Sequence, residues 1–229
     1  MAIRPILFNG EMVRAILDGR KTCTRRSVKG NIPNDAIWGY TGFTPKGYIS
    51  CRGVYSDGYG EGFYKLPYLP GDVLYVRETW ERFECWNCEG DERGNCPKEP
   101  LKSVLIKACG CYMYRATDEI SGDAKWHPSI HMPKEAARIW LKVTDVRVKR
   151  LQGITDEQAK REGIQYDECP TGFTWKQETD MHNCYTTPIG AMQALWNSTI
   201  KKSDLDRYGW VANPWVWVIE FERCEKPKE

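Results

Sequence analysis

The chain has 229 residues, 41% of them hydrophobic, a formal net charge of +2 and ten cysteines. That hydrophobic share excludes global disorder, and no apolar run approaches the ~20 residues needed to span a bilayer. So small a net charge does not by itself mark a nucleic-acid binder, and a cytoplasmic protein with no membrane partner is the expectation.

The N-terminal stretch Met1 to Phe8 lacks the long apolar core of a signal peptide. Met12, Val13, Ile16 and Leu17 then recur at helical spacing between Glu11 and Asp18. Gly19 is suited to end that helix, because glycine enters the left-handed conformation without steric cost. A basic turn follows, carrying Arg20, Lys21, Thr22, Thr24, Arg25 and Arg26. Between Arg14 and Lys29 six basic residues accompany one acid, Asp18, and between Arg138 and Arg150 five accompany Asp145. These two segments either converge on one electropositive face or form the solvated sides of separate elements.

Residues 30–70 are rich in Gly, Tyr, Pro and Ser and read as irregular structure with short strands. Their aromatic residues either pack a loop onto the core or stack on bases. Pro70-Gly71-Asp72 is a turn that leads into a strand from Val73 to Glu78. An inserted cysteine-rich segment, residues 84–111, precedes a second strand from Tyr112 to Ala116. Ile139, Leu141 and Val143 alternate, and Val146 and Val148 alternate one residue out of step, which predicts a bulge. Thr155-Asp156-Glu157-Gln158 starts a short capped helix that stops at Gly163. Another helix begins near Pro188 with the stripe Ile189, Met192, Leu195 and Trp196. Pro214 to Phe221 reads as a strand buried on both faces over its first part. These elements predict a single α+β domain over residues 1–225, a small β-barrel with short helices across its ends.

Five cysteines cluster in the insertion: Cys85, Cys88, Cys96, Cys109 and Cys111. Without a secretory signal, a disulfide framework is the weaker reading. A structural zinc on Cys85, Cys88, Cys109 and Cys111, with Cys96 as a further candidate ligand, competes with reduced, partly buried thiols. The chain lacks the phosphate-loop pattern, the zinc-deaminase signature, a G-x-S-x-G elbow and an H-E-x-x-H pair.

Gly19-x-Lys21-Thr22-x-Thr24-x-Arg26 resembles the signature of the ASCH domain, a branch of the PUA-like superfamily. Pro70-Gly71-Asp72 with its strand, the T-x-x-x-A-x-x-E-G run from Thr155 to Gly163, and the strand Trp217 to Phe221 resemble further motifs of that family. Nearly the full length is similar to a phage and prophage group that begins R-P-I-L-F, carries H-M-P before a long strand and ends N-P-W-V-W-V-I-E-F. The resemblance implies a small PUA-like β-barrel with flanking helices, and RNA or a modified nucleoside as partner.

One similar branch comprises bacterial amidohydrolases that remove the acetyl group from acetylcytidine. Their catalytic lysine, threonine and glutamate fall on Lys21, Thr24 and Glu162. Arg20, Thr22, Arg25 and Arg26 are then the expected nucleic-acid or nucleotide contacts, and the reaction requires no cofactor. A threonine hydroxyl attacks only when a base takes its proton. A lysine can be that base once it has lost its own proton, which desolvation and neighbouring cations promote. The alternatives are a non-catalytic RNA- or nucleotide-binding module and a ribonuclease.

Overall fold

The computed structural model describes residues 1–84, 110–118, 125–167, 172–176 and 184–227. Strand β1 (Ile3–Leu7) leads into helix α1 (Gly10–Leu17), where the Asn9 side chain accepts from the Met12 amide and so caps the first turn. Gly19, at φ +76°, turns the chain out of the helix as expected. The second half of the predicted basic turn is instead a strand, β2 (Cys23–Ser27). It is extended because it pairs antiparallel with the terminal strand β12 (Trp215–Cys224).

β12 pairs on its other side with β9 (Trp140–Arg150), β9 with β6 (Val73–Arg77), and β6, in parallel, with β1. The sheet order is therefore β1-β6-β9-β12-β2. The expected barrel is not closed: among the described residues β1 and β2 share no ladder. Their nearest recorded link is a side chain, with Arg26 Nη2 donating to the Leu7 carbonyl at 2.7 Å. Glu220 faces Asp145 while Phe221 faces Val143, so Thr144 is an extra residue. The bulge thus falls where the alternation in β9 slips.

β12 is buried on both faces because it separates two cores. Trp217, Ile219 and Phe221 pack with Ile6, Phe8, Val76 and Leu141. Val216 and Val218 pack on the opposite face with Ala159 of α2 (Asp156–Arg161) and with Met192, Leu195 and Trp196 of α3 (Pro188–Thr199). Both helices begin as expected. Thr155 accepts from the Gln158 amide, Thr187 accepts from the Gly190 amide, and Pro188 opens α3.

Residues 30–70 are more regular than their composition predicts. They form a three-stranded antiparallel sheet of β3 (Ile37–Gly39), β4 (Tyr48–Tyr55) and β5 (Gly58–Lys65). Its inner face carries Trp38, Ile49 and Tyr64 against the main core. Val54, Tyr59 and Phe63 of the other face are exposed. Glycines hide the alternation in β5: at Gly62 a Cβ would lie 2.8 Å from the Tyr55 hydroxyl. A hairpin of β7 (Trp80–Glu84) and β8 (Gly110–Tyr114) brackets the cysteine-rich stretch, and a short one joins β10 (Gln165–Asp167) to β11 (Gly172–Thr174). One more short helix, α4 (Leu205–Tyr208), precedes β12. The molecule is mixed α+β, mostly strands with a few short helices. No described helix is long and apolar enough to cross a membrane.

Candidate functional site

Lys21 enters the site from the end of α1. Its amide donates to the Ala15 carbonyl, and the Thr22 amide donates to the Arg161 carbonyl, so the turn is tied to the ends of both α1 and α2. The Lys21 side chain is buried, with the whole residue 2% exposed. Its Nζ donates to Glu162 Oε2 at 2.7 Å, to the Cys23 carbonyl at 2.8 Å and to the Glu162 carbonyl at 2.9 Å. Three acceptors match the three hydrogens of an ammonium group.

Glu162 follows the last residue of α2, and Gly163, at φ +106°, reverses the chain after it. Its second oxygen, Oε1, accepts from Arg25 Nη1 at 2.9 Å. Arg25 Nη2 donates to Gln158 Oε1 at 2.8 Å, while its Nε is buried without a partner. Gln158 and Glu162 are four residues apart and project from one face of α2 onto β2. Burial pushes the Cys23 thiol beside them up to about 12, with the Glu162 charge adding and Lys21, Arg25 and Arg161 opposing. The thiol is therefore neutral, and two buried cations share one carboxylate. Such a cluster carries a net positive charge in a poorly solvated place, an arrangement suited to a group that develops negative charge.

Thr24 is opposite Ile219 in the ladder and Arg25 opposite Val218, so the two side chains leave β2 on opposite faces. Thr24 is 3% exposed. The carbonyl that Lys21 holds belongs to the Cys23–Thr24 peptide, so the ammonium rests one peptide from Thr24. The Phe8 ring lies beneath, its centroid 5.6 Å from Lys21 Nζ and 5.5 Å from the Arg26 guanidinium carbon.

The fold thus joins Lys21 directly to Glu162 and sets Thr24 beside Lys21 along the chain. The four expected nucleotide contacts fare differently. Arg25 is turned inward to Glu162 and Gln158. Arg20 bonds to the Gly163 carbonyl and to Asp18, each at 2.8 Å. The Thr22 hydroxyl accepts from Arg161 Nε at 3.2 Å. Arg26 is exposed and spans to β1.

Sequence reasoning missed Gln158, Arg161, Arg147 and Glu220. Arg161 Nη2 donates to Glu220 Oε2 at 2.9 Å, and Arg147 contacts both Glu220 and Asp145. Burial raises the Glu220 carboxyl, but hydrogen bonds from Arg161 and Arg147 outweigh it and hold the group below the usual carboxylate range. Spacing was the available signal for Gln158, one helical turn before Glu162. The two basic segments are linked only indirectly, from Arg147 through Glu220 and Arg161 to the Thr22 hydroxyl, whereas Arg138 grips Glu78 with two bonds of 2.9 Å.

Of the proposed zinc ligands, Cys85, Cys88, Cys96 and Cys109 lie outside the described residues, and Cys111 is described only as part of β8. Among the described residues no group of three or more His, Cys, Asp or Glu side chains is arranged to hold a metal ion. No protein-family model, curated protein or solved structure matches this chain significantly.

Proposed function

We propose that this chain is a PUA-like domain of the ASCH type that binds a modified nucleoside, free or in RNA, and hydrolyses an N-acyl amide on its base. The observation that carries the reading is the buried Lys21–Glu162 pair, whose ammonium also holds the carbonyl of the Cys23–Thr24 peptide. Lys21 passes one proton to Glu162 along their 2.7 Å hydrogen bond. The neutral amine then takes the Thr24 proton as Oγ1 adds to the acyl carbon. The net positive cluster stabilises the oxyanion so formed. As the carbon–nitrogen bond breaks, the proton held on Glu162 returns through Lys21 to the departing nitrogen. Water next cleaves the threonyl ester, releasing the carboxylic acid and restoring the hydroxyl.

A non-catalytic binding module is the second reading. It is favoured by the saturation of Lys21, whose three donors are all in use. Acetylcytidine and a panel of other acylated nucleosides separate the two. The enzyme reading expects turnover that falls about a hundredfold or more in Lys21→Ala and in Thr24→Ala. Absence of turnover, with RNA binding that weakens steeply with salt and is lost in Lys21→Ala, favours the module.

A further inference from the structure

We propose that Arg25 and Gln158 form a positioning clamp that fixes which oxygen of Glu162 meets Lys21, and that Arg25 is not a nucleotide contact. The inference rests on the site proposed above and adds two residues to it. Arg25 is 6% exposed and its side chain faces α2, so a phosphate outside the fold does not reach the guanidinium.

A comparison within the molecule explains the geometry. Arg138 grips Glu78 through Nε and Nη2, one bond to each oxygen, and occupies the whole carboxylate edge. Arg25 gives Glu162 a single bond, from Nη1 to Oε1, and gives Nη2 to Gln158. Its Nε is left without a partner. That arrangement forgoes one bond and leaves Oε2 free for Lys21. The terminal torsion of a glutamate is soft, so one cation alone does not fix the carboxylate plane. Two cations on different oxygens do, provided the guanidinium is itself fixed, and the Gln158 amide oxygen fixes it.

The test reads the Lys21 ammonium directly, by nitrogen-15 NMR of its hydrogens in the full chain. The wild type should show slowly exchanging ammonium hydrogens, because all three are bonded and buried. Arg25→Met should speed that exchange by roughly tenfold or more, and Gln158→Met, which removes no charge, by a smaller factor. Arg25→Lys keeps the charge but cannot bridge two acceptors, so it should resemble Gln158→Met. Unchanged Lys21 exchange in folded Arg25→Met and Gln158→Met overturns the clamp. So does a drop of about one in the salt slope of RNA binding in Arg25→Met, the mark of a lost phosphate contact. If Arg25→Met does not fold, Gln158→Met decides alone. Where acylated nucleosides turn over, the clamp expects kcat to fall in Gln158→Met with KM nearly unchanged. If the wild type turns over none, the enzyme reading fails, while the exchange measurement still decides the clamp.

Discussion

Glu162 is the residue on which most of the site's electrostatics depends. Removing it leaves Lys21 and Arg25 as buried cations without a counterion, whereas removing Lys21 leaves an intact Arg25–Glu162 pair. Glu162→Ala is therefore expected to cost about 3–5 kcal/mol in urea unfolding, and Lys21→Met clearly less. Cys23 tests the burial of the same cluster. With its thiol pushed up to about 12, it should resist iodoacetamide at neutral pH in the folded protein and react once unfolded, as read by peptide mapping. Two carboxylates should shape acid stability in opposite directions. Glu220 is depressed when folded, so its contribution is present above the unfolded carboxylate value and is lost as pH falls through the folded one. Glu78 is raised by burial, which Arg138 only partly offsets, so its contribution is present at low pH and is lost as pH rises through the folded value. Urea midpoints measured across the acid range should fall less steeply on acidification in Glu220→Gln than in the wild type, and more steeply in Glu78→Gln.

At the scale of elements, the turn after α2 does the positioning. Gly163 sits at φ +106°, and a Cβ there would lie 2.9 Å from the Ala15 Cβ and 3.6 Å from the Lys21 Cβ. Gly163→Ala should cost more than about 1 kcal/mol through strain and contact together, measured by denaturant unfolding. It should also disturb the Lys21–Glu162 pair. This element was legible in the sequence, because its signals are local: Thr155 caps, Gly163 stops, and Glu162 falls between them. The bulge at Thr144 was legible for the same reason, since a one-residue slip in apolar alternation is written in neighbouring residues. β2 was not. Cys23 to Ser27 has no apolar alternation of its own, and it is a strand because β12 supplies the ladder. Residues 30–70 were expected to hold only short strands in irregular structure, and the eight-residue β4 and β5 were not foreseen because glycines and exposed Val54, Tyr59 and Phe63 obscure the usual period.

Across the whole molecule, Trp38 joins the β3–β5 sheet to the main sheet. Its ring lies 5.2 Å from Tyr64, 5.7 Å from Trp215 and 6.2 Å from Trp217, centroid to centroid. Trp38→Ala should cost about 3 kcal/mol and speed limited proteolysis between residues 37 and 65, read by mass spectrometry. The sequence by itself determined the caps, the stops, the slip in β9 and the two-faced burial of β12, since each depends on residues a few positions apart. It also put a lysine, two threonines and three arginines within one short stretch. Only the tertiary structure decided their partners. Strand alternation sends Arg25 to one face of β2 and Arg26 to the other. The docking of α2, about 140 residues further along the chain, then brings Glu162 to Lys21 and Arg25 and leaves Arg26 to solvent and β1. Local spacing cannot encode that choice, because it is made by the packing of one helix against a strand far from it in sequence.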